Sequence, residues 1–192
     1  GDVYKRQMNG TIKKGEGRNM KILVINPGGT STKIAVFEDD KQLFKTNITH
    51  TAEDLKPFHS VFDQFSYRKG LILGAVTEQG IGLKELSAVA GRGGLMEPIP
   101  GGTYAVNDRM VEDMRNAVHG EHPANLGCVL AKEIGDELGI PSFVVDPVSV
   151  DELMPMARIA GISDLERPSW FHALNHKAVA RWAAERVGKP YE

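Results

Sequence analysis

Cysteine is nearly absent from this chain of 192 residues, aromatic residues make up only 7% of it, and no long apolar run occurs. Each shortage excludes something. A single thiol, Cys128, rules out an intrachain disulfide and fits a reducing, cytoplasmic compartment. It sits among apolar residues in a helical pattern, so it reads as a buried structural thiol rather than a nucleophile. No stretch approaches the roughly 20 apolar residues of a membrane helix. Lys and Arg number 23 against 25 Asp and Glu, a formal charge of -2. That balance offers nothing to draw nucleic acid or an anionic membrane. What is present, 41% hydrophobic and 25% charged residues, is the make-up of an ordinary folded domain. The length suffices for one well-cored domain or two small ones. Residues 1–19 are polar and aperiodic and lack the apolar core of a signal peptide. They read as a non-native or disordered extension before a start at Met20, with a basic regulatory arm as the alternative.

The stretch Met20 to Glu38 organises the rest. Two apolar, β-branched runs, Ile22–Ile25 and Ile34–Phe37, flank a turn of Asn26, Pro27, Gly28, Gly29, Thr30, Ser31, Thr32 and Lys33. They are too short for helices and read as the strands of a hairpin, their continuous apolar character suggesting burial on both faces. Glycines admit a ligand close to backbone N–H groups, Thr30, Ser31 and Thr32 add hydroxyls, and Lys33 adds a point charge. Together these suit phosphate oxygens. An ordinary hairpin turn would more simply carry Asn-Gly or Asp-Gly. A Walker A loop is excluded, since no G-x-x-x-x-G-K-[ST] occurs and a strand follows the turn.

Further along, Lys41 to Thr49 alternates loosely and extends the hairpin to a three-stranded meander. Ala52 to Gly80 reads as one kinked helix or two, without evident chemistry, Gly70 and Gly74 weakening its middle. Leu86 to Ala90 is a short buried strand running into Gly91-Arg92-Gly93-Gly94, and Ser142 to Val145 is another, ending at Asp146-Pro147. Ligands in open α/β sheets gather beyond the carboxyl ends of strands, so Arg92 and Asp146 are candidates. The alternatives are a solvated loop arginine and an aspartate capping the next turn. A strand at Thr103 to Val106 precedes a helix capped by Asn107 and running through Val118. Leu126, Leu130, Ile134 and Leu138 recur every four residues down to a Gly139 stop. His119 and His122 lack the company of a metal site. A last helix opens within Trp170 to Lys177 and continues through Val187. His172 and His176, four apart on it, lack the Glu of a zincin and a clear third ligand.

Several of these motifs, in order, resemble one family. Asn26-Pro27-Gly28-Gly29-Thr30-Ser31-Thr32-Lys33 is similar to the first phosphate loop of the acetate and butyrate kinases, within the actin-like ATPase superfamily. The proline and the closing Thr-Ser-Thr-Lys match the butyrate branch. Gly29 stands where the family usually has Ser, which removes one hydroxyl donor. Gly91-Arg92-Gly93-Gly94, Val144-Val145-Asp146-Pro147 and Phe171-His172-Ala173-Leu174-Asn175-His176-Lys177 resemble further family motifs.

The resemblance implies an α/β fold, a mixed β-sheet with flanking helices like the amino-terminal domain of the actin-like (ribonuclease H-like) ATPases. It spans residues 20–192, with a second, nucleotide-binding domain missing. The implied reaction transfers the γ-phosphoryl group of ATP, with Mg2+, to butyrate or a branched short-chain acid. An acetate or propionate kinase relative and a non-catalytic nucleotide-fold module are the alternatives. Arg92 would meet the carboxylate and the phosphoryl group, His172 a phosphoryl oxygen, and Asp146 would orient Arg92 or the metal. Asn26, Gly28, Ser31 and Lys33 would hold phosphate, Asn26 also touching the metal through water. His122, within one position of a histidine of the acetate branch, is taken as a substrate contact. The carboxylate and ATP are the expected partners, and a homo-oligomer is expected of the full-length protein. The fragment alone is expected to be inactive.

Overall fold

Alternation along the strands decides how the hairpin sits. A computed structural model describes residues 19–191, so the reading of residues 1–19 lies almost wholly outside the described residues. In strands β1 (Lys21–Pro27) and β2 (Ser31–Glu38), Leu23, Ile25, Ile34 and Val36 are buried, while Val24, Ala35 and Phe37 between them are half-buried. The hairpin continues into β3 (Lys41–Thr49), which pairs antiparallel with β2 as expected. On the other side of β1 come β4 (Leu86–Arg92) and then β6 (Ser142–Val145), both parallel, and finally β5 (Thr103–Ala105), antiparallel to β6. The mixed six-stranded sheet has the order β3-β2-β1-β4-β6-β5.

Three of the helices lie on one face of this sheet. Register aligns Ile34, Ile25, Gly91, Val144 and Tyr104 in one row across β2, β1, β4, β6 and β5. Against that face pack α2 (Phe65–Glu78) through Ile72 and Val76, and α4 (Asn125–Leu138) through Leu126, Leu130, Ala131 and Ile134. Helix α3 (Asp108–Arg115) adds Met110 and Met114 beside Tyr104 and Val144. Each fully buried Leu, Ile, Val or Met among these contributes about 1.5–3 kcal/mol. The opposite row of Ala35, Val24, Ala90, Phe143 and Ala105 stays half-buried, because no described helix covers it. Burial on both faces, expected from the apolar runs, is therefore not found.

Two glycines set the distance between sheet and helix. A Cβ on Gly91 would lie 1.9 Å from the carbonyl oxygen of Gly127, and one on Gly127 would lie 2.1 Å from that of Arg92. Backbone meets backbone there, and the first turn of α4 rests on the end of β4. Strand β4 continues through Arg92, which pairs with Val145 of β6, instead of stopping at Ala90.

The Ala52 to Gly80 region divides into a single turn, α1 (Ala52–Leu55), a 3-10 turn at Phe62–Gln64, and α2. The capping box of Thr51 and Asp54 starts the first. Asn107 caps α3 through its Oδ1, which accepts from the Met110 N–H at 2.9 Å, but that helix ends at Arg115 instead of Val118. Gly139, at φ +66°, ends α4 as expected. Helix α5 (Ala173–Val187) starts at Ala173, so His172 is its N-cap and not a member of its face, and only Ala173 of the helix is buried. Cys128 is buried in the core, which pushes its thiol up to about 12. Among the described residues no helix is long and apolar enough to cross a membrane.

Candidate active site at the carboxyl edge of the sheet

Strand alternation turns the polar residues of the hairpin outward together. Lys33 is the cross-strand partner of Asn26, and Ser31 lies two residues before Lys33, so all three share the uncovered face. Lys33 Nζ is 3.4 Å from Ser31 Oγ. Ile25 pairs with Gly91, so the next residues, Asn26 and Arg92, continue the same row. Lys33, Asn26 and Arg92 thus stand side by side on three adjacent strands spaced about 4.8 Å apart. The loop closes with the Gly28 N–H donating to Ser31 O at 2.7 Å, while Gly29 and Thr30 are exposed.

Thr32 behaves differently from its neighbours. Its side chain faces the core and is fully buried, so its hydroxyl is no ligand donor. Instead it anchors a polar network under the turn. Thr32 Oγ1 lies 2.8 Å from His50 Nε2 and accepts from Arg68 Nη1 at 2.9 Å. Arg68, on α2 and fully buried, also donates to Gly28 O at 2.8 Å, Gly29 O at 3.1 Å and Gln64 Oε1 at 2.7 Å. Burial lowers its pKa, and burial together with the Arg68 charge lowers that of His50, which favours a neutral ring. Sequence reasoning found no chemistry in this segment. A signal was present: Arg68 falls in the apolar series Phe65, Ile72, Val76 at helical spacing, where a charged residue needs a reason.

The other group forms where β4 and β6 end. Asp146 follows β6 with φ +53°, a left-handed conformation that aspartate tolerates better than most residues. That turn aims its carboxylate at the start of α5, where Oδ1 accepts from the Leu174 N–H at 2.9 Å and Oδ2 from the Asn175 N–H at 3.3 Å. Negative charge at a helix amino terminus is stabilising. Arg92 Nη2 is 3.6 Å from Asp146 Oδ2. His172 Nδ1 is 2.7 Å from the carbonyl oxygen of Asp146 and 3.5 Å from its Oδ2. A carbonyl only accepts, so Nδ1 carries the proton and Nε2 is left for a ligand. Burial first, then the charge of Arg92, lowers the His172 pKa, with His122 acting in the same direction.

Arg92, Asp146 and His172 are therefore one connected group. His122, exposed, stands before α4, and its Nδ1 accepts from the Ala124 N–H at 3.1 Å. His176 makes an edge contact with the Phe171 ring and takes no part in the group. Buried Asn125 holds the loop after Arg92 by accepting from the Leu95 N–H at 2.9 Å and donating to Gly120 O at 2.9 Å. Beyond that loop is a cavity of about 170 Å³. Leu95 and Met96 line it just past Arg92, Val148 and Ser149 just past Asp146, and Ser169 and Trp170 just before His172.

No family model matches the chain. A probable butyrate kinase of Clostridium botulinum (strain Eklund 17B / Type B) is 52% identical over 172 residues, which cover 90% of this chain and 48% of that protein. Butyrate kinase 1 of Clostridium acetobutylicum is 51% identical over the same length and shares. The chain thus spans about half the length of the curated relatives it matches. Among solved structures, an acetate kinase of Porphyromonas gingivalis superposes with TM-score 0.57 at 20% identity, covering 90% of this chain and 50% of that one. A propionate kinase of Francisella tularensis gives 0.56 at 14% identity, with 88% and 50% covered. These establish the fold, a mixed sheet with flanking helices shared with the acetate and propionate kinase structures. With about half of the matched residues identical over 90% of its length, the chain is similar to these butyrate kinases.

Proposed function

We propose that this chain forms the amino-terminal half of a short-chain carboxylate kinase, which transfers the γ-phosphoryl group of ATP to butyrate or a branched acid of similar length. The observation that carries the reading is the convergence of Arg92, Asp146 and His172 at the carboxyl ends of β4 and β6, in a row with Asn26 and Lys33. A carboxylate is already a nucleophile and needs no strong base. Positioning and charge neutralisation are then the work of the site. Arg92, a planar fork tethered by Asp146, suits both the carboxylate and the equatorial phosphoryl oxygens. Asn26, Ser31 and Lys33 fit phosphate oxygens on the open face of the hairpin, whereas Gly28, expected among them, has its N–H engaged by Ser31 O and its carbonyl by Arg68, and so shapes the turn instead of donating. ATP with Mg2+ supplies the transferable group and further charge neutralisation when bound. Among the described residues no three His, Cys, Asp or Glu side chains group as a metal site. The metal would rest on phosphate oxygens and water, Asn26 touching it only through water. His122 would reach substrate from the start of α4.

The cavity beside the group fits the acyl chain. An apolar cavity of about 150 Å³ takes a ligand the size of benzene, so the space here accommodates three or four carbons. With the chain completed by the carboxyl-terminal half of a related butyrate kinase, hydroxamate formation from ATP should rise from acetate to butyrate. Val148→Phe, which fills the cavity, should raise the KM for butyrate at least about 10-fold while sparing acetate. Equal use of both acids, unchanged by Val148→Phe, would refute the assignment.

His172 carries a pH signature. Its Nδ1–H is engaged, so Nε2 donates to an oxyanion only when the ring is protonated. Burial, with the charge of Arg92, holds the pKa below its ordinary value, and a bound oxyanion would raise it. Binding therefore takes up a proton. Sulfate, whose charge is constant over the range, should bind this chain more tightly as pH falls from 7.5 to 5.5, with a limiting slope of about tenfold per pH unit. His172→Gln, which donates at any pH, should flatten that dependence. A slope unchanged in His172→Gln would assign the proton elsewhere.

A further inference from the structure

We infer that Arg68 is a positioning residue of the phosphate-binding hairpin, acting through an uncompensated positive charge buried directly beneath the loop. The inference rests on the reading of that hairpin as a phosphate site and deepens it. A guanidinium taken out of water is ordinarily matched by a carboxylate. Arg68 is fully buried, yet among the described residues it forms no ion pair with one. Its partners are neutral: the carbonyls of Gly28 and Gly29, the Thr32 hydroxyl and the amide oxygen of Gln64, which accepts from both Nε at 3.0 Å and Nη2 at 2.7 Å.

Two consequences follow for the loop. Drawing the Gly28 and Gly29 carbonyls inward fixes the turn before any ligand arrives, and their negative ends are spent on the guanidinium. Among the described residues no internal acceptor takes the backbone N–H of Gly29 or Thr30, which remain exposed at the tip. The charge itself remains unbalanced on the protein side, and the low dielectric around it carries its field to the loop surface. A phosphate on the outer side would supply the missing negative charge. This is a binding role for a residue that does not touch ligand. Lys33 and Ser31 make the contact, and Arg68 sets the geometry and potential behind them.

Gln64 provides the test. Gln64→Glu keeps the shape and both acceptor contacts but places a carboxylate on Arg68, cancelling the charge without disturbing the packing. The probe is inorganic pyrophosphate, titrated into this chain without metal and followed by the backbone amide signals of Gly28, Gly29, Thr30 and Ser31. The wild-type signals should shift in a saturable manner. In Gln64→Glu the dissociation constant should rise about 10-fold while the melting temperature is maintained or increased. Arg68→Met should lose pyrophosphate binding altogether, and Arg68→Lys, which keeps charge but not the fork, should recover part of it. A purely structural Arg68 predicts the reverse for Gln64→Glu: equal or better stability with unchanged affinity. Affinity within twofold of wild type in that variant would overturn the proposal and leave the phosphate site standing. Absence of any response in the wild-type loop amides would overturn the phosphate site, and this proposal with it.

Discussion

Arg92→Ala, in the chain completed by a butyrate kinase carboxyl-terminal half, is expected to lower acyl phosphate formation by about 10³-fold. That is the usual scale for a donor that meets charge developing during phosphoryl transfer. The side chain stands at the meeting of the two groups of site residues, beside Asn26 in the sheet and 3.6 Å from the Asp146 carboxylate. No other arginine side chain is held by that carboxylate, so no neighbour replaces it among the described residues. Arg92→Lys should recover little, since an ammonium gives a point charge where a fork is wanted. The fold should survive both changes, because the side chain is partly exposed and only a loose ion pair is lost. Steady-state hydroxamate assays and thermal melts on the same preparations check this. Near-normal turnover would remove Arg92 from the mechanism.

Gly127→Ala should have the largest effect on stability. The added methyl would meet Arg92 O at 2.1 Å, Arg92 C at 3.1 Å and Arg92 N at 3.3 Å. None of these atoms can rotate away, and the facing Gly91 is backbone too. Helix α4 must lift from β4, which loosens the burial of Leu126 and Leu130 in the core behind it. Overpacking ordinarily costs about 1–3 kcal/mol, and a clash confined to main chain belongs at or above the upper end. For a domain of this size about 3 kcal/mol lowers the melting temperature by roughly 6–12 °C. A melt followed by circular dichroism within 2 °C of wild type would show that the close approach is dispensable.

Much of this architecture was legible beforehand because its signals are local. Short β-branched runs between turn residues mark the hairpin, four-residue repetition marks α4, and a strand running into arginine or aspartate brings those two side chains to the carboxyl edge of the sheet. The missed features depend on what lies opposite in space. Thr32 looks like a third loop hydroxyl until strand alternation turns it inward. Arg68 looks like a surface residue of an unremarkable helix until that helix lies under the loop. His172 appears to share a helical face with His176, but Asp146 caps the helix and leaves the imidazole just outside it. The open side of the sheet could not be read from the apolar runs either, since a half-buried strand and a doubly covered one can carry the same β-branched residues.

Helix α5 is tied down at its beginning and scarcely anywhere else: Asp146 accepts from its first amides, Ala173 is its sole buried residue, and Val179, Trp182 and Val187 are exposed. A rod pinned at one end is a lever. Force applied to its free end reaches His172 through the backbone and Arg92 through the Asp146 carboxylate, so the spacing of these two side chains is mechanically geared to the position of a helix whose far end lies about 20 Å away at 1.5 Å per residue.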